Sequence, residues 1–418
     1  MKTIYLSALT ACICTVTAHA QTYGLQDIET HFLQNNYALL AKKYQIAETE
    51  AFAVQEKLLP NPSLSVSEIN LWENGSAEQL PYLFGTYGNT QQVAVELEQL
   101  IETAGKRKKR VAIKKDETKQ AVFEYEELLR ELKKELRLTY WKLYGIKETQ
   151  QQTQHLLDLY EQLNTQYARQ AKLQNVSQAD AYRVQTAFLN LQSENAELLQ
   201  EQAALLQTLQ QITQIPDLQL SNIAFAPLDL QLSAKVPLDF MNTVQEEHIG
   251  MKLQNNELEI ARKQLKLEKA QRIPDLNLEL NYDRGGNIMR DFVGVGISVD
   301  LPVFNRNKGN IAAAKQNISQ QQTAKQALQF RLQNDAQYAL NQLVLFEKLL
   351  NQREEMQQNN NADLLNNYFK HLQSKQITLL EFIDFAQAHL DAQKAYSQWV
   401  EQYETNYEQL QYLAGKDF

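Results

Sequence analysis

The residues most able to do chemistry in this chain are carboxylates, and their spacing points to charge rather than catalysis. Glu381 and Asp384 stand three apart in a helical pattern, which puts both carboxylates on one helix face. In a threefold assembly they would stack as two acidic rings, and like charges held that close resist closure and concentrate cations. The bland reading of Glu381 is the N3 member of a capping box opened by Thr378, and Ser177 with Asp180 repeats that box earlier in the chain. A solvated Asp on a helix is the bland reading of Asp384. The histidines outside the leader, His31, His155, His248, His371 and His389, never pair at metal-ligand spacing. Gly-x-Ser-x-Gly, P-loop and His-Glu-x-x-His patterns are absent, so neither an enzyme nor a bound cofactor is indicated. The run Gly105-Lys106-Arg107-Lys108-Lys109-Arg110 could be a nucleic-acid patch, but a net charge of -9 argues against that partner. Its bland reading is a basic helix start facing solvent or lipid headgroups, and Asn305 to Gly309 fills the same place later.

These groups must be positioned by long helices and a few strands. The 418 residues are poor in Gly and Pro, with 13 and 8, a helical composition. Met1 to Ala20 reads as a secretory leader, with Lys2, a short apolar core, and Ala18-His19-Ala20 for cleavage. Leu9-Thr10-Ala11-Cys12 is a rival, lipoprotein-type cleavage that would acylate Cys12. Both cysteines, Cys12 and Cys14, lie in this leader. No later run is long and apolar enough for a transmembrane helix.

Leu25 to Leu59 is helical in pattern and is stopped by Pro60-Asn61-Pro62. Strands are expected at about 62–70 and 91–99, where Leu64 and Val66, then Val93, Val95 and Leu97, alternate with polar residues. A second pair is expected at about 275–283 and 291–301, joined by a loop with Gly285-Gly286. Helical hairpins follow each pair, over about 106–213 with a tip near 172–180, and about 309–414 with a tip near 373–384. Each arm would be ~50 to 60 residues, or roughly 75 to 90 Å. Apolar stripes such as Leu129, Leu132, Leu136, Tyr140 and Leu332, Ala336, Ala339, Leu343 give a coiled-coil-like seam.

The order is duplicated. Pro60 matches Pro274, Val66 matches Leu280, Leu97 matches Val299 and Glu98 matches Asp300, while Asn175 to Asp180 matches Gln376 to Glu381. The reading is a leader at 1–20, a first repeat at 21–213, a linker at 214–237 broken by Pro216, Pro227 and Pro237, and a second repeat at 238–418. Four strands cannot close a barrel, since the smallest have about eight. Three copies would supply twelve. Apolar residues would then face lipid, and Glu96, Glu98, Glu279 and Asp300 would line the lumen. Trp72, Tyr82, Tyr87 and Tyr282 could form an interfacial girdle.

With the duplication, Leu58 to Val66, Ile273 to Leu280 and the two tips in view, the chain resembles the TolC-like outer-membrane efflux proteins from about Leu25 to Leu413. Ile101 to Arg110 resembles the Gly-Lys-Arg motif of their heavy-metal branch. The resemblance implies a mainly α fold with a small β part: a homotrimer whose twelve-stranded barrel in outer-membrane lipid continues as a helical periplasmic tunnel. It implies docking by the tips to a periplasmic adaptor and an inner-membrane pump of the resistance-nodulation-division type. It also implies that an acidic pair at the second tip constricts the periplasmic entrance, matched here by Glu381 and Asp384, and that Ser177, Asp180 and Thr378 belong to the tip contacts. Some family members place an Arg near the second tip where this chain has Ile377. The expected role is a passive efflux duct in a Gram-negative outer membrane, for heavy-metal cations or drugs. A duct for secreted peptides or proteins is the rival in the same class, and a secreted coiled-coil adhesive protein the rival from another.

Overall fold

The computed structural model describes residues 22–67, 69, 79–84, 92–284, 291–357 and 364–418. Residues 1–21 with Cys12 and Cys14, the glycines Gly285 and Gly286, Trp72 and Tyr87 lie outside the described residues.

Helices α1 (Leu25–Asn35) and α2 (Tyr37–Gln55) precede strands β1 (Ser63–Ser67) and β2 (Val93–Ile101). Helices α3 (Lys106–Lys172) and α4 (Gln178–Thr213) form the first helical hairpin. Helices α5 (Phe240–Glu247) and α6 (Ile249–Ala270) lead to β3 (Leu276–Arg284) and β4 (Phe292–Val299). Helices α7 (Lys308–Gln357), α8 (Leu364–Gln373) and α9 (Leu379–Ala414) complete the chain. The single helix expected over Leu25 to Leu59 is broken at Asn36. This residue leaves helical backbone, at φ -69 and ψ 117, and its buried amide donates to the Ile212 carbonyl at 2.8 Å.

The chain divides into two compact units. The first holds the described residues of 22–36, Leu132–Val236 and Ala339–Leu410. Its core joins four helices, with Tyr160 and Leu163 of α3, Val184 of α4, Phe369 of α8 and Phe382 of α9 all buried. Phe382 is fully buried, with its ring centroid 6.1 Å from Tyr160 and 5.8 Å from Phe369. Leu379, Phe382, Ala386 and Leu390 reach this core because they repeat every three or four residues. The stretch between α4 and α5 is held by tyrosine hydroxyls. Tyr140 donates to the Ala224 carbonyl at 3.0 Å and accepts from the Ala226 amide at 2.8 Å. Tyr403 accepts from the Leu232 amide at 2.9 Å and donates to Glu347 at 3.0 Å.

The second unit, Tyr37–Glu131, Pro237–Tyr338 and Gln411–Phe418, carries the sheet. All four strands are antiparallel in the order β1-β2-β3-β4. Between the strands and α3, part of the basic run is tied down, while Lys108 stays exposed. Lys106 is buried and meets Asp275 at 2.8 Å, and the Thr103 amide donates to the same carboxylate at 2.8 Å. Arg110 bridges Glu56 and Glu102. Asp116, also buried, is met by Lys263 while its carbonyl accepts from Asn256 at 2.8 Å. The chain end packs on the α5–α6 junction, where Gly415 sits at φ +67. A Cβ there would lie 2.6 Å from the Glu247 carbonyl, so both the conformation and the space call for glycine.

Candidate functional site

The two tips are built alike. Gln174 and Lys375 both adopt left-handed backbone, at φ 60 and 59, just past α3 and α8. In each, the next amide bonds back five residues and the left-handed amide three: Asn175 to Gln170 and Gln174 to Ala171, then Gln376 to His371 and Lys375 to Leu372. That is the Schellman pattern, which satisfies the orphan carbonyls of a helix end. A cap opens the next helix. Ser177 accepts from the Asp180 amide at 3.0 Å, and the Asp180 carboxylate pairs with Arg183 at 3.4 Å.

At the second tip the box is reciprocal. The Glu381 amide donates to the Thr378 hydroxyl at 3.3 Å. The Glu381 carboxylate accepts from the Thr378 amide at 2.7 Å and from its hydroxyl at 2.8 Å. These two bonds, the backbone one first, hold the Glu381 carboxyl below its ordinary range. Asp384, one turn on, is exposed and makes no hydrogen bond or ion pair among the described residues. The two acids therefore differ: one is tied to its own cap and the other is free. Ile377 is partly buried against the core of the first unit.

The sheet is inverted relative to a soluble protein. Directly paired residues share a face. Glu98 pairs with Ser63 and Glu279, and Glu96 with Ser65 and Asn281, while Gly296 and Gly294 pair with Glu279 and Asn281. Glu96, Glu98 and Glu279 thus lie on one polar face, where all three are half-buried. Leu64, Leu97, Leu280 and Val295 form a paired row on the other face. They are 68%, 40%, 47% and 81% exposed. Glu98 and Glu279 stand directly opposite each other, an arrangement that costs energy unless water screens it. Tyr282 is on the apolar face and donates to Asp291 at 2.7 Å, and Tyr82 is exposed.

Asp300 does not join the ladder. β4 ends at Val299, opposite Leu276, the first residue of β3. The next partner would be Asp275, but Pro274 before it has no N–H and its carbonyl accepts from the Thr103 hydroxyl, and Pro302 follows Asp300 two residues on. Glu347, Glu404 and Arg137 escaped the sequence reading. Arg137 joins Glu29 and Glu408, and Glu347 also accepts from the Ser233 amide at 2.9 Å. Glu404 is 3% exposed, and burial followed by the charges of Glu408 and Asp229 pushes its carboxyl well above the ordinary range. The only sequence signal was an acid following two aromatics of α9, Tyr403-Glu404 and Tyr407-Glu408. Among the described residues no group of three His, Cys, Asp or Glu is placed to hold a metal, and no helix is long and apolar enough to cross a membrane.

No protein-family model matches the chain, and no curated protein matches it in sequence. Solved structures do match in fold. The Campylobacter jejuni CmeC outer membrane channel superposes with a TM-score of 0.76 over 94% of this chain and 85% of that chain, at 14% identity. The chain has a TolC-like fold. The open-state MtrE outer membrane channel of Neisseria gonorrhoeae gives 0.69 over 94% and 89% at 15% identity. CusC gives 0.69 over 94% and 92% at 15% identity. Among the described residues the four-stranded sheet is open, with β1 and β4 as its edges.

Proposed function

We propose that this protein is one subunit of a trimeric outer-membrane channel, the passive exit duct of a tripartite efflux system. The observation that carries the reading is the inverted sheet. Its apolar face is open to the surroundings, its acids share the opposite face, and both edges are free to pair with further copies. Such a sheet is stable in lipid as a closed ring and aggregates otherwise. Three copies give a barrel with Glu96, Glu98 and Glu279 toward water, where the opposed carboxylates of Glu98 and Glu279 are screened. Asp300 sits at the foot of the lumen, just beyond the ladder.

The helical hairpins, too polar for lipid, continue the duct into the periplasm. Their tips meet a periplasmic adaptor and an inner-membrane pump of the resistance-nodulation-division type, which supplies the energy. No covalent chemistry is involved. The cargo class is heavy-metal cations or drugs. The heavy-metal resemblance rests on the Gly105 to Arg110 run, and two of its cations, Lys106 and Arg110, serve the joint between strand and helix. The cargo is therefore selected by the pump rather than by this chain.

The constriction is Glu381 with Asp384. Asp384 contributes the free charge, and Glu381 fixes the tip and adds a second ring. Replacing both by Ala should raise single-channel conductance in planar bilayers and weaken block by multivalent cations. Asp384→Ala alone should give most of the effect. Unchanged conductance and block in the double variant would remove the pair from the gate.

A further inference from the structure

A cavity of about 620 Å³ opens at the foot of β1 and β2, in the second unit. Its walls are largely apolar, with Leu59, Pro60, Ile101 and Val111 among them, and Lys57, Arg107 and Lys108 stand around it. The neighbouring cations of the same run are spoken for. Lys106 pairs with Asp275, Arg110 with Glu56 and Glu102, and Lys109 donates to the Ala104 carbonyl. Glu102 is the one carboxylate in the cavity wall, and Arg110 neutralises it. The side chains of Lys57, Arg107 and Lys108 make no ion pair or hydrogen bond among the described residues. Three like charges around one recess repel one another, and an anion seated there would offset that cost.

The fold supplies its own control. A matching cavity of about 510 Å³ lies at the foot of β3 and β4. Ile273 and Pro274 line it where Leu59 and Pro60 line the first. In the repeat alignment the places of Lys57, Arg107 and Lys108 are taken by Gln271, Gly309 and Asn310. The wall of the second cavity holds one cation, Lys106, which Asp275 already engages, so the cavity itself does not require the three. The first cavity also borders exposed apolar surface, with Leu59 68% and Ile101 40% exposed. A ligand that suits it carries a negative charge and an apolar tail.

We infer that the cavity at the foot of β1 and β2 binds the phosphate headgroup of an anionic phospholipid through Lys57, Arg107 and Lys108, with the acyl chains against Leu59, Ile101 and the apolar sheet face. The inference rests on the outer-membrane channel reading, which places this joint at the inner lipid surface.

The test uses the full mature protein, extracted in detergent, stripped of lipid and checked for assembly by heat-modifiable mobility. Native mass spectrometry then counts bound phosphatidylglycerol, with phosphatidylcholine and inorganic phosphate as the other probes. Phosphatidylglycerol should be retained over phosphatidylcholine, and millimolar phosphate should not displace it. Lys57→Gln with Arg107→Gln and Lys108→Gln should weaken retention on the order of 100-fold, about fivefold per cation. Removing three other cations, by Lys315→Gln, Lys325→Gln and Lys348→Gln, should leave it unchanged. Equal retention by the first triple variant and the parent overturns the inference, as does equal retention of the two lipids. Displacement by phosphate would make it a free-anion site instead of a lipid site, and an equal loss in the second triple variant would reduce it to bulk charge. A protein that never forms a detergent-dependent oligomer sinks the channel reading and this inference with it. One that assembles but shows no cation dependence sinks this inference alone.

Discussion

His248 shows how burial turns one side chain into a pH-dependent load. It is 4% exposed at the α5–α6 junction, its Nδ1 has no hydrogen-bond partner, and its ring stands edge-on to Tyr412. Burial, helped by the charge of Arg331, pushes it down from 6.5 to about 4. The unfolded chain then binds the extra proton between those values. Stability is therefore full above pH 6.5 and falls as pH drops toward about 4, by roughly 3 kcal/mol. His248→Phe keeps a ring against Tyr412 and should flatten that part of a stability-pH profile measured by denaturant unfolding. An unchanged slope would contradict the assignment. Glu404 has the opposite sign. Its folded carboxyl is raised, so it destabilises increasingly as pH climbs above the ordinary carboxylate value. Glu404→Gln should raise the melting temperature at pH 8 and change it little at pH 5, and an equal shift at both would count against a buried charge. At this scale the sequence was partly legible. The spacing of Thr378 and Glu381 announced the cap, because capping is local. Asp275 and Glu404 were not legible, because their partners stand far away in the chain.

The elements were more legible, because periodicity and Pro positions set them locally. The apolar stripe of α3 around Leu136, Tyr140 and Leu143 is buried as spaced. Both α4 and α9 open on a capping residue, Ser177 and Thr378. What local pattern could not supply was competition from distant groups. Asn36 breaks the first helix because Ile212 offers a partner, and the ladder stops short of Asp300 beside Pro274, whose carbonyl accepts from the distant Thr103 hydroxyl. The ion pairs of Lys106 and Arg110 were not legible for the same reason, since Asp275 and Glu56 are remote in sequence. Near the tips the helices depend on one packed residue. Phe382→Ala should cost about 3–5 kcal/mol, read as a lowered melting temperature of the helical signal. A loss under about 1 kcal/mol would show that the tip core is not held through Phe382.

At the scale of the molecule, the duplication and the sheet together specify how copies should meet. Leu97 pairs with Leu280 inside one chain. Their matches in the other repeat are Val299 and Val66, on the two edge strands β4 and β1. If the ring repeats its internal joint, Val299 of one copy stands opposite Val66 of the next, and both stay on the apolar face. Within one chain these edges are separated by three strand spacings, about 14 Å, beyond the reach of a disulfide. Both native cysteines lie within the first 20 residues, and the two single variants control for any bridge they form. The most direct test is therefore the double variant Val66→Cys with Val299→Cys, oxidised in isolated outer membranes and run without reductant. The channel account predicts covalent dimers and trimers that collapse to monomer on reduction and are absent from either single variant. Monomer alone, from a double variant that still folds into the membrane, would contradict a ring closed edge to edge by three copies.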